Sequence, residues 1–302
     1  MTWSLLLALW ACGDTEDKNN SSDTAAADEE EAFGIDTFVY VADTPIGDMS
    51  CFEGGYPDSS WLIQEITEGI GGESSVSATA IDFETDEPVE DAMVELFYGN
   101  TVYGAPDGSY TSDGAGAFTG SVPTCTPYAY RVSTDPDIGL TKVTIKANQI
   151  EDANASVAEF TSVSLDTYNV IPALLGVSPD VDKGIVAGTA YDCTGEKLEF
   201  SQVIVTDADG NIPDSLVVRY FIDDFPSRLQ EWTSEDGLFV AINVPEGDWF
   251  VKMYVSDGNG GHIQMAQSPV KVFADSINIS SVYTSRGDGV EYPSGCVEAA
   301  SE

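Results

Sequence analysis

The chain repeats itself, and that repeat limits its architecture more than any local motif. Thr79-Ala80-Ile81-Asp82 returns as Thr189-Ala190-Tyr191-Asp192, and with one gap Val89-Glu90 and Val94 fall opposite Leu198-Glu199 and Val203. Farther on, the stretch Thr111 to Phe118 parallels Thr233 to Phe239, and each copy runs on to a Val-Pro pair, Val122-Pro123 and Val244-Pro245. A separation of roughly 110 to 120 residues is too long for a solenoid unit and suits a duplicated domain. The length of 302 residues agrees, since a typical domain takes roughly 150.

Each copy reads as β structure. Trp249, Val251, Met253 and Val255 alternate with Phe250, Lys252 and Tyr254, a period of two that sets one row against a core and the other toward water. Further strands are expected at 202–206, 216–222, 238–244, 270–273 and 277–283, all rich in β-branched and aromatic residues. Turn chemistry, such as Asp-Gly, Gly-Asn and Pro-Glu-Gly, separates them. With no long helical pattern, the expectation is an all-β chain of two-sheet sandwiches.

The order Thr-Ala-hydrophobic-Asp, a Val-bearing strand, Thr-Ser-x-x-Gly-x-Phe, then Pro-x-Gly before an aromatic strand resembles the carboxypeptidase regulatory-like domain. The second copy carries that pattern from Ile185 to Val255, including Gly237, Phe239, Pro245 and Gly247. The first copy departs from it after Pro123, where Thr124-Cys125-Thr126-Pro127 replaces the Pro-x-Gly turn. The resemblance implies two tandem transthyretin-like (Ig-like) seven-stranded β-sandwiches, at 33–178 with an N-terminal extension and at 179–302. It also implies accessory, stalk or binding modules with no catalytic residue to carry over.

Residues Leu5 to Trp10 form an apolar run ending at Ala11-Cys12, far shorter than the roughly 20 residues of a spanning helix. Leu9-Trp10-Ala11-Cys12 resembles the lipobox of bacterial lipoproteins. That resemblance implies a signal segment at 1–12, acylation of Cys12, and, with Gly13-Asp14 next, an outer-membrane, lipid-anchored location. Apart from Gly13 and Lys18, the stretch 13–32 is Asp, Glu, Ser, Thr, Asn and Ala without an aromatic residue, a disordered acidic tether by composition.

Besides Cys12 the chain has Cys51, Cys125, Cys193 and Cys296, an even number that in an exported protein favours two disulfides. Pairing Cys51 with Cys125 and Cys193 with Cys296 keeps each bond inside one module and is the expected connectivity. Segment 33–71 is then expected to pack on the first module through Cys51. Zinc is disfavoured because no two cysteines have the close spacing of a zinc knuckle.

Charge narrows the partners. Against 52 Asp and Glu stand 11 Lys and Arg, a formal net charge of −41, which leaves no basic footprint for nucleic acid. Such acidity suits a salty habitat or divalent-cation binding. Asp207-Ala208-Asp209-Gly210-Asn211 starts like a calcium loop, but glycine stands fourth and Val218 takes the twelfth place, where a bidentate Glu is required. Asp207, Asp209 and Asn211 are therefore Ca2+ ligand candidates weighed against a plain turn, as are the loops Asp135-Pro136-Asp137 and Asp223-Asp224.

Catalytic machinery is sparse. The single histidine, His262, follows Asp257-Gly258-Asn259-Gly260-Gly261, a hairpin signal, and no Gly-x-Ser-x-Gly elbow exists. Arg286-Gly287-Asp288 matches a three-residue adhesion motif that also makes a tight turn. Among Trp61, Trp232 and Trp249, the residue beside the Thr-Ser turn, Trp232, is the best candidate for a sugar-stacking ring. The chain thus reads as a non-catalytic surface lipoprotein that engages a polysaccharide, a peptide or an envelope protein. The alternative is a calcium-dependent adhesion or carbohydrate-binding protein, and a hydrolase comes last.

Overall fold

The computed structural model describes residues 45–52, 72–99, 102–223, 225–258, 261–284, 293 and 296. Alternating small apolar and hydroxyl residues make Gly72–Asp82 the first strand, β1, with Val76, Ala78 and Ala80 buried and Ser75 and Ser77 exposed. The first copy continues through β2 (Met93–Tyr98), β3 (Gly108–Thr111), β4 (Ala117–Thr124), β5 (Tyr128–Ser133), β6 (Thr141–Lys142), β7 (Thr144–Gln149) and β8 (Val157–Ser164). A helix, α1 (Leu165–Leu175), leads to the second copy. That copy holds β9 (Lys183–Tyr191), β10 (Ser201–Thr206), β11 (Val217–Ile222), β12 (Phe225–Ser227), β13 (Leu238–Pro245), β14 (Gly247–Ser256), β15 (His262–Val272), β16 (Ile277–Ile279) and β17 (Val282–Tyr283). Apart from α1, the short 3-10 turn Ser50–Phe52 and the helical Cys296, the regular structure of the described residues is all β.

The duplication is visible bond by bond. Ala80 donates to the carbonyl of Gly116 and Ala190 to that of Gly237; Val89 donates to Ala80 and Leu198 to Ala190. The Ser112 hydroxyl accepts from Ala92 N–H and donates to Val89 C=O, and the Thr233 hydroxyl does the same with Ser201 and Leu198. Ser112 is thus the counterpart of Thr233, one residue away from the pairing of Thr111 with Thr233 expected from sequence. The shift disappears at the Val-Pro pairs because β13 carries a bulge between Ile242 and Val244, where Asn243 takes a positive φ of 65°.

Strand pairings repeat as well. β1 pairs antiparallel with β4 and parallel with β8, as β9 pairs with β13 and with β16. β2, β5 and β7 form one run, and β10, β14 and β15 form its equivalent. The copies meet through non-equivalent edges: β16 of the second copy lies parallel to β7 of the first. One ten-stranded sheet results, in the order β12-β11-β13-β9-β16-β7-β5-β2-β3 with β17 beside β9.

Register across the junction shows which side each layer covers. Thr144, Ile277 and Ile185 lie abreast on one face, and Ile145, Asn278 and Val186 on the other. The sheet β4-β1-β8-β6 covers the first face over β5 and β2, building a core around Tyr128, Tyr130 and Phe160. The sheet β10-β14-β15 covers the opposite face over β9, β13 and β11, around Phe239, Met253 and Met265. In the first core Tyr130 and Phe160 meet edge to face at 5.0 Å, an arrangement worth about 0.5–1.5 kcal/mol beyond burial.

The cysteines correct the expected connectivity. Cys51 is bonded to Cys193 and Cys125 to Cys296, with Cα separations of 5.6 and 5.2 Å. The reason lies in where the flanking segments dock. Ile46 bridges to Glu199, Asp48 N–H bonds the Asp192 carboxylate and Met49 packs on the second core. Residues 45–52 of the extension therefore sit on the second copy, not the first. Conversely, Cys296 Sγ lies against the carbonyl of Glu151 in the first copy. Each flanking segment crosses to the other copy.

Candidate functional site

Helix α1 starts where Ser164, in extended geometry, accepts the N–H of Thr167 on its side chain, and it ends at Gly176 in the left-handed region. Arg228 reinforces the end, donating to the carbonyls of Ala173, at 3.0 Å, and Leu174. Tyr168, Ile171 and Leu175 face the sheet, while Val170 and Leu174 are about half exposed. The helix lies over β9, β13 and β16 on the face that the three-stranded sheet leaves uncovered.

Beneath it is a cavity of about 240 Å3. Its floor is Ile185 and Ala187 of β9, Leu238 and Val240 of β13, and Ile277 and Ile279 of β16, and α1 supplies Tyr168, Ile171 and Pro172. These are side chains of the face fixed by the β16 register. Lys146 stands abreast of Ile279 across the β7–β16 junction and enters the cavity wall. A second, polar space of about 150 Å3 adjoins it, sharing Lys146, Tyr191, Ile279 and Ser281. Tyr191 stacks on Tyr283 there at 4.6 Å.

Among the described residues Lys146 is the only charged one lining either space. Removal from water lowers its ammonium pKa from the ordinary value, and the charge of Glu151 acts the other way. It takes part in none of the four ion pairs among the described residues, which join Arg131 to Glu95, Lys142 to Asp275, Lys183 to Asp180 and Lys271 to Asp248. The arrangement is an apolar chamber with an amine at its polar end.

The residues singled out from sequence lie elsewhere and apart. Asp207 spends its carboxylate on its own turn: one oxygen accepts the N–H groups of Asp209 and Asn211, the other the Asn211 side chain. The bonds from Asn211 hold its pKa below the ordinary value. Asp209 and Asn211 are exposed. Among the described residues no three His, Cys, Asp or Glu side chains are grouped as metal ligands. Trp232 is partly buried, its ring 6.2 Å from that of Phe200. Trp249 packs against the second core and donates to the carbonyl of Pro245. His262 opens β15 opposite Ser256, closing the expected hairpin. Cys12, Trp61, Asp224 and Arg286-Gly287-Asp288 lie outside the described residues.

Sequence reasoning passed over Lys146. Its only local signal is a basic residue set in the β-run Val143-Thr144-Ile145-Lys146-Ala147 of a chain poor in cations. The chamber around it is assembled from α1 and from strands roughly 40 to 130 residues farther along the chain, so it carries no local signal.

No family model matches the chain, and no curated protein matches it. Solved structures with similar segments include the Bacillus anthracis TIE protein, 13% identical, over 70% of this chain and 33% of that one, at a TM-score of 0.24. The major pilin subunit BcpA of Bacillus cereus is 8% identical over 70% of this chain and 100% of its own, at 0.25. The shaft pilin spaA of Lactobacillus rhamnosus GG is 11% identical over 70% and 98%, at 0.22. The chain spans a third of the TIE structure's length. The likeness is one of β-sandwich architecture, and at these scores it carries no functional argument.

Proposed function

We propose that the protein is a non-catalytic, exported surface protein, anchored through acylated Cys12 and displaying two sandwich modules, 33–178 and 179–302, as one braced unit. The observation that carries this reading is the interleaved pair of disulfides, each tying one copy to a flanking segment of the other. Such bonds persist where the surroundings are oxidising. In the chain-entropy picture, closing loops of 142 and 171 residues contributes about 5 kcal/mol for each bond. Absence of a motif for nucleophilic catalysis in the sequence supports the same reading, as does the acidic tether at 13–32. The surface partner is a polysaccharide, a peptide or an envelope protein.

Metabolic labelling with a fatty-acid analogue tests the anchor. The parent takes up label and sediments with membranes, and Cys12→Ala does neither. Equal labelling of the two would overturn the anchor, and loss of membrane association without loss of label would overturn the display.

A further inference from the structure

We propose that the chamber under α1 binds a small apolar carboxylate, with the carboxylate on the Lys146 ammonium and the apolar part between α1 and the sheet. The inference is independent of how the protein is anchored. It begins with charge. In a chain of 52 acidic and 11 basic residues, the described residues that line two adjoining spaces include no carboxylate and a single cation. Lys146 is partly buried and, although the charge of Glu151 acts on it, it has no direct ion-pair partner: every ion pair found among the described residues uses a different Lys or Arg. An anion brought by a ligand supplies what Lys146 lacks.

Shape gives the rest of the ligand. Lys146 sits where the apolar chamber and the polar space meet, beside Ser281 and Tyr191. The chamber beyond it is walled by aliphatic side chains such as Ile185, Val240 and Ile277. An apolar void of roughly 150 Å3 is enough for a benzene-sized guest, and water-sized groups take roughly 30 Å3 each. The volume of about 240 Å3 therefore takes about eight such groups, the size of octanoate or a substituted benzoate. Neutral alkanes of the same size would fill the chamber and leave Lys146 unpaired.

Titration calorimetry of the full chain with octanoate, and with octanol as the neutral probe, tests the proposal. The expected result is saturable octanoate binding at one site and binding of octanol at least tenfold weaker. Lys146→Met is expected to weaken octanoate at least tenfold and leave octanol unchanged. Because that variant alters a partly buried position, Ala187→Leu, which fills the chamber from its floor, serves as the second: it should abolish binding of both probes. Mass-spectrometric acetylation mapping on the unmodified chain gives an independent reading, with octanoate and not octanol protecting Lys146. No octanoate binding at millimolar concentration, equal affinity for octanol, or full retention of octanoate binding in Lys146→Met would each overturn the assignment.

Discussion

The carboxylate of Asp192 accepts the backbone N–H of Asp48 at 2.6 Å, which holds the N-terminal segment on the second copy three residues before Cys51 reaches Cys193. The other Asp192 oxygen accepts Thr194 and Glu196 N–H groups and closes the turn after β9. Its counterpart Asp82 organises the equivalent turn after β1 and accepts the Ser164 N–H on its second oxygen, at the start of α1. The same aspartate in each repeat thus fixes a different appended element. Asp192→Ala is expected to cost about 1–3 kcal/mol for the backbone donors left behind and to speed reduction of the Cys51–Cys193 bond by dithiothreitol. Asp82→Ala should destabilise comparably and leave that rate unchanged. Timed thiol trapping separates the two effects.

The left-handed glycines give a matched test of the duplication. Gly116 (φ 70°) and Gly237 (φ 65°) are equivalent, and a Cβ added to them would lie 2.7 and 2.8 Å from the carbonyls of Ala80 and Ala190. Gly116→Ala and Gly237→Ala are each expected to cost about 1–3 kcal/mol. Gly114→Ala, whose Cβ would meet only Glu90 at 3.5 Å, is the neutral control. Denaturant unfolding of the three variants checks this.

The repeat and the alternating strands were legible because they rest on local chemistry. Thr-Ala-x-Asp writes its own turn, and Val251, Met253 and Val255 mark their face by period alone. The Asp257–His262 hairpin and the Asp207 turn follow from the same local rules. What was not legible depends on distant geometry. The disulfide partners are decided by where residues 45–52 and Cys296 dock, which no spacing encodes. The segment 277–283 reads as one strand but is two, β16 and β17, because its pairing with β9 breaks opposite Gly188 and Thr189. Helix α1 is short, with Pro172 inside and apolar residues on both sides. Ser164 and Gly176 were its available signals.

Stability should pass through a maximum as pH falls. Burial pushes the Asp192 carboxyl up, but hydrogen bonds from Asp48, Thr194 and Glu196 outweigh it and hold its pKa below the ordinary value. The turn bonds of Asp113 and Asp207 lower theirs too. A carboxyl depressed in the folded state contributes stability above its unfolded pKa and loses it as pH falls through the folded one. Against this, protonation of the many other carboxylates relieves the repulsion of a net charge of −41. Melting temperature is expected to rise from about pH 7 to about pH 5, then fall below about pH 4. Added salt should raise it at about pH 7 and matter less at about pH 5. A melting temperature that climbs steadily to about pH 2 would contradict the role given to the turn aspartates.

The β7–β16 junction joins the two copies in one sheet, and they are expected to unfold together. Calorimetry of the oxidised chain should show a single transition with equal calorimetric and van't Hoff enthalpies. Ile277→Asp, in the junction strand, should split or broaden it.

Two copies of one sandwich are braced by bonds that cross between them, and peptide mapping under non-reducing conditions checks the pairing. Cleavage between the cysteines is predicted to leave Cys51 linked to Cys193 and Cys125 linked to Cys296. Recovery of Cys51 linked to Cys125 and Cys193 linked to Cys296, each bond closed within one module, would contradict it.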